Sequence, residues 1–125
     1  MFGRKKIKEL KVMHYEGIQG LPMNCPCSFM IANGIITIKT RQLPTITITL
    51  PLNRVKSISA IGEYEYMQRY HSAGMLPNNN QIARNFLVII YDKGIIALWG
   101  VGLSVFKNFM KIQSLYGCNT SHIEL

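Results

Sequence analysis

Residues able to carry chemistry are few in this chain, and their spacing suits little of it. Cys25 and Cys27 flank a single proline, one residue tighter than the spacing of a zinc knuckle, and no second pair follows. His14, His71 and His122 are scattered, with no carboxylate or nucleophile at a spacing that would place a base beside it. Among six carboxylates, a paired acid–base site is open only to Glu63 and Glu65, which share a face if that stretch is a strand. There is no Gly-rich phosphate loop, no HExxH and no GxSxG. The expectation is a non-enzymatic protein without a metal or cofactor.

Composition sets the remaining limits. At 125 residues the chain is long enough for one domain with its own core, and 48% hydrophobic content excludes disorder. The domain is expected to fill 1–125, with 1–5 a flexible basic arm and 118–125 a tail. The N-terminal MFGRKKIKEL lacks the apolar run of a secretory signal, and three cysteines are an odd count, so a reduced, cytoplasmic setting is expected. A formal charge of +8 favours anionic partners, with no bearing on fold.

The elements that position these residues are mostly strands. FLVIIYDKGIIALWGV at 86–101 is apolar but broken by Asp92-Lys93-Gly94. A membrane helix needs about 20 uninterrupted apolar residues. Two strand-forming arms joined by a turn, 86–91 and 95–101, account for the pattern. Both faces of the first arm are apolar, so something must cover the second face. Upstream, 7–15 reads as a strand; 27–32 and 35–40 flank Asn33-Gly34, a strong hairpin signal. TITITL at 45–50 alternates with Ile46, Ile48 and Leu50 inward, between Pro44 and Pro51. A fifth strand begins near Arg54 in RVKSISAIGEYEY, followed by a long connection, 67–85. LSVFKNFMKIQSLY at 103–116 carries helical period, with Val105, Phe109, Ile112 and Tyr116 on one face, Ser104 as N-cap and Gly117 as a left-handed stop. The order is four strands, three strands and a closing helix.

That order resembles the pleckstrin-homology-like (PH-like) fold in its small bacterial form. TLPLNRVKSISAI at 49–61 is similar to that family's strand-PL-x-x-(I/V)-x-S-(I/V) corner, and FLVIIYDKGIIALWG leads into LSVFKNFMKI as its last hairpin leads into its helix. The resemblance covers about residues 5–116. It implies a mainly β fold: a seven-stranded antiparallel sandwich or partly open barrel capped by one C-terminal α-helix. It also implies a platform that binds phosphoinositides, peptides or proteins. Phosphoinositide-binding members use a basic residue on the first strand and a basic-x-Arg pair on the second. Here no Lys or Arg lies between Lys11 and Lys39, and Lys39-Thr40-Arg41 falls on the third strand, so no specific phosphoinositide site is expected.

Three surfaces are candidates for contact. A protein partner, a second copy included, is expected on the hairpin face (Leu87, Ile89, Tyr91) and on the long connection (Arg69, His71, Met75, Leu76). The alternative is electrostatic binding of anionic lipid or nucleic acid through Arg4, Lys5, Lys6, Lys8 and Lys11 together with Lys39, Arg41, Arg54 and Lys56. A third reading is a small inhibitor that docks on one specific macromolecule.

Overall fold

The computed structural model describes residues 7–71 and 83–117. Seven strands follow the chain as β1 (Ile7–Glu16), β2 (Cys25–Ala32), β3 (Ile35–Thr40), β4 (Thr47–Pro51), β5 (Val55–Gly62), β6 (Asn85–Tyr91) and β7 (Gly94–Gly100). Helix α1 (Glu63–His71) separates β5 from β6, and α2 (Leu103–Tyr116) closes the domain. The strands form one antiparallel sheet in the order β4-β3-β2-β1-β7-β6-β5. Because β4 and β5 occupy opposite ends of that order, the barrel is not closed, and the expected mainly β architecture with a capping helix holds.

β1 joins the two halves. Ile7 through His14 pair with β2, whereas Met13, His14 and Glu16 pair with β7. Irregular register on both sides lets one long strand bend from one half into the other. Asn33 and Gly34 both take positive φ, 56° and 75°, as a two-residue hairpin turn demands. Gly17, just after β1, has φ 109° and lies so close to β7 that a Cβ would sit 2.6 Å from Ile96 Cα. His14 is buried and holds the same loop. Its Nδ1–H donates to Pro22 O at 2.9 Å, and its Nε2 accepts from the Ile18 N–H at 3.1 Å. Those partners define one neutral tautomer, so the ring is a structural clamp.

The main core lies between the inner faces of both halves and α2, where Phe29, Ile38, Ile58, Leu87 and Leu98 meet Phe109 and Ile112. A second, smaller core lies on the opposite face of the last three strands, where Tyr66 of α1 packs with Ile61, Phe86, Val88 and Ala97. This element answers the doubly apolar hairpin. EYEY at 63–66 does not continue β5 as the sequence suggested; it opens α1, and part of the presumed connection is helical. Tyr66 and Tyr70 stand one turn apart and dock together, while Glu65 and Arg69 pair along the solvent side.

Three local expectations change as well. The N-cap of α2 is Gly102, with Ser104 inside the first turn and Phe106 N–H donating to Gly102 O at 3.1 Å. Gly117 has φ −63°, a right-handed conformation in place of the expected left-handed stop; its N–H bonds Gln113 O and its carbonyl accepts from Ile58 N–H. Ile46 precedes β4 and is 41% exposed, since among the described residues no strand lies beyond β4 to cover that row.

Candidate interaction surfaces

The hairpin patch is not a free surface. Leu87 and Ile89 are fully buried (0%) beneath the inner core and α2, and Tyr91 is half-buried at its margin, with the Arg54 guanidinium 5.7 Å from its ring centre. The opposite face of β6 is occupied by α1. Both apolar faces are therefore satisfied within one chain. The sequence alone did not separate that outcome from an exposed patch.

The proposed loop site is dispersed in the same way. Arg69 forms an ion pair with Glu65 one turn earlier on α1. His71 Nε2 lies 2.6 Å from Glu16 Oε2, and the buried Tyr66 hydroxyl donates to that same carboxylate oxygen. Burial, followed by this bond to Glu16, pushes the Tyr66 phenol well above its ordinary range, so it stays a donor. Met75 and Leu76 lie outside the described residues.

Glu63 and Glu65 are not a catalytic pair. They sit on a helix and engage different arginines. Glu63 receives the Arg84 fork, with Nε to Oε1 and Nη2 to Oε2 both at 3.1 Å, and also the Arg84 backbone N–H at 2.9 Å. These donors hold the Glu63 carboxyl below the usual carboxylate range. The same guanidinium lies within 5.3 Å of the ring centres of Tyr15, Phe86 and Trp99. Arg84 thus fastens α1 to the outer face of the sheet, a role its sequence context does not reveal, because its partners come from four elements.

The two arginines of the proposed anion site are also engaged. Arg41 Nε donates to Cys27 O at 2.9 Å, and its Nη2 lies 3.5 Å from Val12 O. Arg54 forks onto Asp92 with three bonds of 2.9–3.1 Å, which hold that carboxyl below its ordinary value. Lys8, Lys39 and Lys56 are exposed. Register places Lys11 opposite Ser28 and Lys39 opposite that same serine, so two lysines share one row on the outer face of the four-stranded half. Lys56 stands apart on β5. Arg4, Lys5 and Lys6 lie outside the described residues.

Cys25 and Cys27 are buried free thiols. Burial first, then the neighbouring Cys25, pushes the Cys27 thiol up to about 11, which keeps it protonated near neutrality. Among the described residues, no group of three or more His, Cys, Asp or Glu side chains could hold a metal ion, and no helix is long and apolar enough to cross a membrane.

What distinguishes one part of the surface is the treatment of the two sheet edges. The β5 edge is closed by α2: Ala60 N–H donates to Gln113 Oε1 at 2.7 Å, and Ile58 N–H donates to Gly117 O at 3.0 Å. At the other end, no strand lies beyond β4 among the described residues. Residues 42–53, which include β4, carry no charge. Exposed apolar side chains flank that edge: Ile46, Ile35 and Leu43, the last 90% exposed. An uncharged, unpaired edge strand is a template for backbone pairing unless something guards it. TITITL was read from sequence as an ordinary half-buried strand; its position at the end of the sheet is what makes it a candidate. Comparison with protein-family models, with curated proteins and with solved structures returns no match to the chain.

Proposed function

We propose that this chain is a non-enzymatic protein-binding module, making protein–protein contacts that include its own copies, through the open side of its four-stranded half. The observation that carries this reading is the contrast between the edges: α2 caps the amides of β5, while β4 is uncharged, bordered by exposed apolar residues and, among the described residues, uncapped. Unpaired backbone donors and acceptors supply affinity for an extended partner, and alternating side chains supply selectivity. The PH-like reading is supported by the four-plus-three strand order and the closing helix, and domains of that kind serve as binding platforms. Light scattering on the purified chain across micromolar concentrations tests the reading. A mass above 14.2 kDa that rises with concentration is expected; a monomer throughout refutes self-association.

A second reading, electrostatic binding of an anionic surface, is supported by the shared row of Lys11 and Lys39 with Lys8 nearby on β1. It is weakened by the capture of Arg41 and Arg54 in internal contacts. Titration of anionic liposomes and oligonucleotides at two salt concentrations separates it from the first, since such binding must weaken as salt rises.

A further inference from the structure

We infer that the partner of β4 is a second copy of the chain, and that two β4 edges pair antiparallel about a two-fold axis at Thr47. This inference rests on the self-association reading above and gives it a register.

The direction of each backbone group in β4 follows from two hydrogen bonds at its ends. Thr40 N–H donates to Ile46 O at 2.9 Å, and Leu52 N–H donates to Gly34 O at 2.9 Å. In an antiparallel ladder the bonded pairs recur every second residue. Even-numbered positions 46 to 52 therefore turn their backbone groups toward β3, while Thr45, Thr47 and Thr49 turn theirs outward. Pro51 falls at an outward position, where its missing N–H removes no bond to β3 and ends the ladder. The outward segment is thus 45–49, reading Thr-Ile-Thr-Ile-Thr.

That segment is a palindrome of residue types. Antiparallel pairing centred on Thr47 sets Thr45 against Thr49 of the partner subunit and Ile46 against Ile48 of the partner subunit. Threonines then form one cross-strand row and isoleucines the other, with about six backbone hydrogen bonds between the copies. The isoleucine row covers Ile46, which the single chain leaves 41% exposed. The start of the edge is held in place, since Ile46 N–H also donates to Thr40 Oγ1 at 2.8 Å.

Local charge does not oppose this register. Two copies carrying +8 each repel, and an edge strand bearing lysine would keep them apart. Here the nearest lysine in the row is Lys39, opposite Thr47 on β3. Across the dimer the two Lys39 side chains stand three strand spacings apart, about 14 Å, beyond the screening length of about 8 Å at physiological salt. Because α2 closes β5, one self-complementary edge remains per chain among the described residues, and pairing stops at a closed dimer.

The test replaces Thr47 by proline in the full chain. The Thr47 N–H points away from β3, so T47P removes the central donors and places a ring on the axis without removing an internal bond. Wild-type protein is expected at twice 14.2 kDa at micromolar concentration, and T47P at the monomer mass with an unchanged far-UV spectrum. A Thr47→Cys variant in a Cys118→Ser background decides the matter should T47P misfold. Paired Thr47 Cα atoms about 5.5 Å apart fall within disulfide reach, so mild oxidation links the two copies, while Thr37→Cys on β3 stays unlinked. A wild-type dimer that T47P leaves intact, or that T47C fails to link, overturns the β4 register but leaves self-association standing. A wild-type monomer overturns both. A monomeric wild type that instead binds an added extended peptide at this edge would overturn the dimer and assign the edge to a foreign strand.

Discussion

Replacing Tyr66 tests whether α1 belongs to the fold or merely lies on it. The ring is fully buried, stacked on Phe86 at 4.2 Å with an interplanar angle of 2°, and met edge-on by Tyr15 at 5.7 Å. Its hydroxyl donates to Glu16, which also holds His71. Tyr66→Phe keeps the stacking and removes one bond to a carboxylate. Such bonds contribute about 1.5–3 kcal/mol, and the 37% exposure of the Glu16 side chain lets water replace part of it. A loss of about 1–2 kcal/mol is expected. Tyr66→Ala also empties the centre of the second core, where aromatic truncations cost about 3–5 kcal/mol. For a chain of this length that corresponds to a fall in Tm of roughly 10–20 °C. Urea unfolding followed by far-UV circular dichroism and by Trp99 fluorescence gives both numbers; Trp99 reports on this cluster because Arg84 lies 5.2 Å from its ring centre. If Tyr66→Ala costs under about 1 kcal/mol, or if the fluorescence changes without any change in the main transition, then α1 and the second core are not part of the cooperative unit.

Other expectations follow from single sites. Gly17→Ala forces a side chain against β7 at φ 109°, and a loss of about 2–4 kcal/mol in urea titration is expected; a change within 0.5 kcal/mol would show that the loop moves away freely. The Glu63 carboxyl is held low by Arg84, so its contribution is present above its unfolded value near 4.3 and is lost as pH falls through the lower folded value. The stability gap between wild type and Glu63→Gln should therefore shrink between about pH 6 and pH 3, and a constant gap counts against the pairing. Cys25 and Cys27 are both buried, and with its thiol near 11 Cys27 is about one part in a thousand thiolate at pH 8, so a thiol reagent should reach the pair only after denaturation; rapid labelling of both in the native chain contradicts their burial.

Local chemistry made much of this fold legible. Asp92-Lys93-Gly94 between two apolar arms announces the β6–β7 hairpin, Asn33-Gly34 announces β2–β3, and the 3.6-residue period of 103–116 matches α2 to the residue. In each, the deciding interactions lie within a few residues of one another. Helix α1 was hidden because EYEY alternates like a strand, and its helical pattern emerges only when Tyr66 finds Phe86 and Tyr15 across the sheet.

Which residues face water was settled at longer range. Leu87 and Ile89 look like an exposed stripe until α2 and the inner core close over them, and Arg54 looks like a free cation until Asp92 arrives from the β6–β7 turn. The edges follow the same logic. The sequence by itself established that TITITL is an uncharged strand bracketed by prolines, because charge and period are local properties. Only the tertiary arrangement made it an end of the sheet, since that depends on which amides α2 caps and on a barrel in which β4 and β5 do not pair with each other.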